Sequence, residues 1–573
     1  MFRPNKKHSQ SSFFGIQNTL PSRLKKKLLT SSQHYFYQTI FCNINEQDFS
    51  PLYSDKVSRP NAPINCLVAA LILKHKNNWS YEELFEQIEF NILTKTALGL
   101  DTLDDIPFDD ATIYNFQNRL LKYQIETNVN LMEQVFDKLT KSQLKELQLK
   151  TDIQRSDSLM ATSNIRGYSR LQLLVEVLLR LWRLLDEADK SMFESNFSDY
   201  NCKSSGQYIY KLKAAELPHE LDKIAQLYHF CKTYIMPKYK DSDFAGIFER
   251  IYTEHFTEVE EKIEVRPSRE LNSSCLQSPD DIDATFREKR NEEYRGQSIN
   301  ITETASQDNP LNLIIDVAVT PNNIDDAQVL TKRIDKILEK TPDLQELHTD
   351  GAYGNPDNDL KFEEKGITHV QTAVRGRQCE VDIEINQITA EKYQIKCPFQ
   401  SVESQPAGNR YKALMNKAIC QGCRFADKCP AAERKSNRSY YFSYEDYLRN
   451  KRIRSIFHIP KERWKIRPNV EATVHEYSYR LTNGKLKYRG AFKAELFAYS
   501  VAIAINFGRI FRYNSLKPAN FAVFIFNFVQ IIKERLNYSE FIKNLFLIRN
   551  IAEFLNPVSK IHQLFAPYDN YRF

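Results

Sequence analysis

Three acidic residues stand where a carboxylate can be presented to solvent and to a metal: Asp157 in QRSDS, Asp350 in LHTDGAYGN and Glu471 in IRPNVEATV. Asp350 closes a predicted strand just before Gly351 and Gly354, whose small size lets a phosphate backbone approach. Glu471 opens a predicted helix. Phosphodiester chemistry uses such groups because Mg²⁺ is a hard cation bound by oxygen. Two ions about 3.5–4 Å apart can activate an attacking oxygen while stabilising the leaving one. Among 73 acidic residues, however, a given Asp is far more often a surface or capping residue. Asp152 in KTDIQ competes for the first position and Glu476 for the third.

Around Glu471 lie Lys465, Arg467, Arg480, Lys485, Lys487, Arg489 and Lys493, interleaved with Trp464, Tyr477, Tyr479 and Tyr488. Basic side chains neutralise phosphates and aromatic rings stack on unpaired bases, so the segment suits a DNA end held beside the metals. The plainer alternative is a solvated basic face with partly buried tyrosines. The formal net charge of the whole chain is only +6, yet Arg449–Arg489 holds twelve Lys and Arg against three Asp and Glu. The basic character is therefore local. Cys397, Cys420, Cys423 and Cys429, with the CQGC knuckle at their centre, are enough for a tetrahedral, structural Zn²⁺ site. Cys379 is a substitute for Cys397, and ordinary packing of reduced thiols is the alternative for all of them.

These residues need a scaffold, and 573 residues imply three or four structural units. With 42% hydrophobic and 27% charged residues, disorder or a fibrous architecture is excluded for most of the chain. Residues 1–33 are polar and Lys-rich, without the pattern of a secretory leader. The apolar stretches Leu171–Leu185 and Phe521–Ile532 are too short or too charged for a membrane span. A cytoplasmic protein with reduced cysteines is the expectation.

Residues 1–60 form a predicted polar arm, followed over 61–148 by a helical N-terminal domain with a candidate DNA-binding helix carrying Thr112, Tyr114, Asn115, Gln117, Asn118 and Arg119. Ser80 and Glu83 form a capping box within it. Residues 149–165 alternate as a strand bearing Asp157, and 166–275 return to helical periodicity with a Leu-rich core from Leu171 to Leu185. Strands over Ser298–Thr304, Asn312–Thr320, Glu346–Thr349 and His369–Ala373, with helices over Asn323–Lys340 and Asp357–Glu364, complete a mixed α/β sheet interrupted by a helical insertion. Thus 149–165 and 276–377 make the first part of the core and 378–446 a cysteine-containing insertion. Residues 447–515 are the second part of the core and 516–573 a C-terminal helical extension.

The runs SPDDIDATFREKRNEEYRG (278–296), HTDGAYGN (348–355) and IRPNVEATVHEYSYRLTNGKLKYRGAFKAELFAYSVAIAINFGRIF (466–511) resemble DDE transposases of bacterial insertion sequences. The likeness is to the branch in which a helical N-terminal domain precedes a ribonuclease-H-like core, and it extends from about Pro60 to Arg512. In that family the first aspartate lies in a DS strand, the second in DGGY or DGAY and the glutamate in a VE-(G/A)-T helix, which match Asp157, Asp350 and Glu471. The resemblance implies two Mg²⁺ ions, cleavage at terminal inverted repeats, strand transfer into target DNA and a homodimer in the active complex. A nuclease limited to hydrolysis and a non-enzymatic DNA-binding descendant of a transposase are the rival functions.

Overall fold

The computed structural model describes residues 1–573 except 11–14, 55, 57–58, 201, 260–261, 375–378, 461 and 516–573. The predicted 516–573 extension lies outside the described residues. The chain divides into two compact units, Met1–Gly508 and Arg509–Phe573.

Up to Leu147 the regular elements among the described residues are all helices. Short helices Ser22–Leu29 and Ser32–Thr39 occupy what the sequence leaves as a polar arm, and Phe36, Phe41 and Phe49 are fully buried there. The expectation for 1–60 is corrected accordingly: a few aromatics spaced among polar residues anchor the segment without helical periodicity. Ile64–Lys76 is buried nearly all round, and the predicted capping box of Ser80 and Glu83 opens Tyr81–Phe90. Asp109 caps Asp110–Thr127 by accepting from the Thr112 amide. On that helix Tyr114, Asn115, Asn118 and Arg119 are exposed, whereas Gln117 is buried and donates to the Tyr81 hydroxyl at 2.8 Å.

The central sheet has six strands: β1 (Ile153–Thr162), β2 (Thr285–Lys289), β3 (Glu292–Thr304), β4 (Ile314–Pro321), β5 (Glu346–Thr349) and β6 (Thr368–Gln371). β1 lies between β3, antiparallel, and β5, parallel; β6 continues parallel beyond β5, while β2 and β4 both pair antiparallel with β3. β1 is central, and buried polar side chains along it are held by neighbours: Ser156 shares a hydrogen bond with Thr302 of β3, and Gln154 donates to Thr341 at the end of α1 (Asp326–Lys340). Helix α1, which follows β4, packs against the Gly351–Tyr353 turn just after β5.

Among the described residues five α-helices, from Arg170–Leu184 to Ala245–His255, lie between β1 and β2 around one core that includes Leu171, Leu174, Leu178 and Leu181. A hairpin, Phe256–Val259 with Lys262–Val265, departs from the helical expectation for 166–275. The 378–446 segment contains an antiparallel six-stranded sheet from Glu384–Thr389 to Asn437–Phe442 that the sequence pattern did not announce. Its strands are short and mostly solvent-facing, so little apolar alternation marks them. Helix α2 (Tyr444–Phe457) leads back toward β6, helix α3 (Val470–Ser478) packs on β1, and helix α4 spans Ala491–Ser515. Among the described residues α4 alone is long and apolar enough to cross a membrane, but most of that apolar stretch is buried within the protein, as in a core helix.

Candidate active site

Asp157 lies midway along β1, opposite Ile301 of β3, and its side chain is 13% exposed. Burial pushes its carboxyl up to about 6; Arg467 pulls the other way, and the charges of Asp350 and Asp326 add to the rise. Asp350 follows the last residue of β5 and caps its own turn, accepting from the Ala352 amide at 2.9 Å. Glu471 is in the first turn of α3, and its side chain is 64% exposed.

Arg467 joins the three. Its Nη2 lies 2.8 Å from Asp157 Oδ2 and 4.0 Å from Asp350 Oδ2, while Nη1 lies 2.7 Å from Glu471 Oε1. Three carboxylates from distant stretches of chain thus converge on one guanidinium. Asp152 stands just before β1, where its carbonyl accepts from the Gln345 and Glu346 amides, and Glu476 lies beyond Glu471 on α3.

The convergence is built by buried polar networks. Arg155, two residues before Asp157, donates to Glu303 of β3 at 2.7 Å and to the Ile466 carbonyl at 3.0 Å. Thr473 of α3 donates to the other Glu303 oxygen at 2.7 Å. Glu303 is fully buried, so this triangle fixes α3 over β1 and sets Glu471 and Asp157 on one face. Asp350 has a separate brace: Gln371 Nε2 donates to its carbonyl at 3.0 Å, and Arg452 of α2 donates to Gln371 and to Asp359, both at 2.6 Å. A side chain at Gly354 would run into the Arg452 guanidinium, which accounts for the second glycine of DGAYG. The SPDDID run is structural. Asp281 and Asp283 accept from the Gly490 and Ala491 amides at the start of α4, and Asp280 pairs with Arg180 and Arg489.

Asp326, the first residue of α1, was missed from the sequence. It is 4% exposed, Oδ1 has no hydrogen-bond partner, and burial and Asp350 raise its carboxyl while Ser158 opposes. Next to the N-cap Asp325 it has the sequence signature of an ordinary helix-start acid.

The predicted basic residues divide into two groups. Lys465, Lys485, Lys487, Arg489 and Lys493 are exposed, whereas Arg467 is held by the carboxylates and Arg480 donates to the Glu476 carbonyl. Arg489 is also engaged, with Asp280 at 3.1 Å and the Asn164 carbonyl at 2.9 Å. The loop carrying Lys485 and Lys487 is stitched to the end of β1, where Leu486 donates to the Thr162 carbonyl at 2.8 Å. Lys74 and Lys76 join this patch from the N-terminal domain: burial and then the charges of Lys487 and Lys493 lower Lys74 to about 8, and burial and then Arg480 lower Lys76. Of the predicted stacking aromatics, Trp464 and Tyr479 are exposed, Tyr477 is core and donates to the Ala498 carbonyl, and Tyr488 is largely enclosed.

Cys397, Cys420 and Cys429 rest partly buried against the core of the second sheet. The Cys423 sulfur accepts from the Phe425 amide at 3.4 Å, and burial raises the Cys420 thiol, with Cys429 and Cys397 adding to the rise. Cys379 is exposed. Among the described residues no three His, Cys, Asp or Glu side chains are assembled to hold a metal ion, which applies to the cysteines and to the carboxylates spread around Arg467. The chemistry of both donor sets nevertheless fits: the carboxylates already surround one cation, and the four thiols are free, three of them beside the core of one small sheet.

Residues 26–119 match a family described as a transposase domain (DUF772), and residues 393–511 match one described as a transposase DDE domain. The second match contains Arg467 and Glu471 but neither aspartate. No curated protein and no solved structure matches.

Proposed function

We propose that this chain, a DDE transposase by the two transposase domains it carries, binds the ends of an insertion sequence and cuts and joins DNA there through Mg²⁺ held by Asp157, Asp350 and Glu471. The observation that carries this is the gathering of the three carboxylates about Arg467. The strand order supports a ribonuclease-H-like core, with β1 between an antiparallel and a parallel half of one sheet and the helical segment inserted after it.

Two bound Mg²⁺ ions supply the Lewis acidity that activates the attacking oxygen and stabilises the leaving one. The protein's part is positional. Asp157 comes from the rigid centre of the sheet, Asp350 from a turn braced by Gln371 and Arg452, and Glu471 from a helix locked to β1 by Glu303. Water attacks the phosphorus at each element end and expels the 3′-oxygen, leaving a 3′-hydroxyl on the element. That hydroxyl attacks a target phosphodiester, forming the new bond as the target's own 3′-oxygen departs. Both ends must meet the same target, so the active complex is a homodimer. The direct test incubates purified protein with a labelled terminal repeat and a target plasmid, with Mg²⁺ or with chelator. Joined products support transposition; hydrolysis without joining supports the nuclease, and binding without cleavage in any divalent metal supports the non-enzymatic alternative.

The exposed lysines beside β1 are the DNA contacts of this scheme. Replacing Lys485 and Lys487 together by Glu is expected to weaken binding to the element end and to lower the slope of log affinity against log salt by about 1 per lysine. A salt titration by gel shift measures both, and an unchanged slope removes these lysines from the interface.

The cysteine quartet is proposed to close around one structural Zn²⁺. Metal analysis is expected to give about one zinc per chain, lost when Cys420 and Cys423 become Ser. Absence of zinc, with full activity in that variant, returns the thiols to packing.

A further inference from the structure

Arg467 is set apart from the other basic residues of its segment by what surrounds it. Lys465 and Lys485 face solvent and the exposed Lys487 donates to the Asn78 carbonyl, whereas the Arg467 side chain is only 16% exposed and its head group is placed among three carboxylates. The contacts use both terminal nitrogens, Nη2 toward Asp157 and Asp350 and Nη1 toward Glu471, while the buried Nε has no hydrogen-bond partner. A guanidinium is a planar fork of donors, suited to bridging carboxylates on opposite sides of it. Mg²⁺ needs the same oxygens at roughly 2.0–2.1 Å in near-octahedral array. The guanidinium and the metals therefore compete for one set of oxygen atoms.

Granting that these carboxylates hold the metals, we propose that Arg467 is the internal counter-cation of the DNA-free enzyme, and that a DNA phosphate draws it out of the carboxylates as the metals enter. Arg467 precedes α3 in a turn whose backbone is tied by the Val470 and Glu471 amides to the Arg467 and Pro468 carbonyls. Its neighbours on the solvent side, Lys465 and the exposed ring of Trp464, are those a bound strand would meet. A phosphate offers the guanidinium the same bidentate geometry as a carboxylate, so the exchange conserves its hydrogen bonds. The consequence is coupling: DNA raises metal affinity, and metal raises DNA affinity by the same factor. The free protein then carries few metals and does not cut before an end is seated.

The experiment measures Mn²⁺ binding to full-length protein by electron paramagnetic resonance, with and without an uncleavable element-end duplex. It uses wild type, Arg467→Met and, to locate the site, Asp157→Asn. Without DNA, Arg467→Met is expected to bind Mn²⁺ about tenfold or more tighter than wild type, since a unit charge this close to three carboxylates opposes a second cation strongly. DNA is expected to tighten Mn²⁺ binding in wild type and to add little in Arg467→Met. Equal or weaker Mn²⁺ binding by a folded Arg467→Met, with Asp157→Asn still abolishing the wild-type signal, overturns the counter-cation role and leaves the metal site standing. Mn²⁺ binding indifferent to Asp157→Asn overturns the metal site itself. If the methionine variant does not fold, Arg467→Lys carries the test: its point charge cannot bridge all three acids, and tighter binding than wild type is again the expected result.

Discussion

Glu471→Gln is expected to abolish DNA cleavage while leaving the protein folded and bound to its DNA end. The substitution keeps shape and hydrogen bonding but removes the negative charge a hard cation requires. Stability should hardly change, because the Glu471 side chain is 64% exposed and its ion pair with Arg467 is of the surface kind, worth about 0–1 kcal/mol. DNA affinity should survive because it rests on phosphate neutralisation by lysines that the change does not touch. Cleavage should fall by more than about 100-fold, the upper end of what losing a mere outer-shell partner of a metal costs. Gel shift and cleavage on the same labelled end, with a melting curve of each protein, separate the three quantities. Cleavage within a few-fold of wild type would take Glu471 out of the site.

The scaffold of this site was legible where periodicity and turn chemistry agree. Glu346–Thr349 was bounded to the residue, and the Ser80 capping box was readable because its two partners are three positions apart. The acids stood out by their flanking small residues together with the family resemblance, but nothing local gave them a common partner. Arg467 and Glu471 are four apart, the spacing at which helix neighbours pair, yet in a segment rich in Lys and Arg the charge pattern points outward to DNA. What fixes Arg467 is Asp157, more than three hundred residues earlier, and no local pattern carries that contact. Asp326 was hidden for the opposite reason, since an acid beside an N-cap needs no explanation. Tyr477 and Tyr479 show the same limit: two residues apart on and just past one helix, one is fully buried and the other 82% exposed. Only the face packed against α4 distinguishes them.

Glu303 is the position where a single change is expected to cost most to the fold. Its carboxylate is fully buried, pairs with Arg155 at 2.6 Å and accepts from Thr473, so it is shared by β3, β1 and α3. Glu303→Ala leaves the Arg155 guanidinium, only 8% exposed, without its counter-charge and the Thr473 hydroxyl without its acceptor. Breaking a buried pair from one side costs about 3–5 kcal/mol, several times what a surface pair is worth. The chemistry should fail beyond the loss of stability, because α3 then loses the Thr473–Glu303 bond that helps seat it over β1 and leaves its placement to the Arg467–Asp157 contact. Thr473→Val tests that second step separately: it removes one hydroxyl at nearly constant shape, costs less stability, and should lower cleavage with DNA affinity retained, whereas Thr473→Ser should restore it. Denaturant unfolding of Glu303→Ala at a wild-type midpoint would show that the ion pair does not hold these three elements. Cleavage unchanged in Thr473→Val would show that Glu471 reaches its place without that anchor.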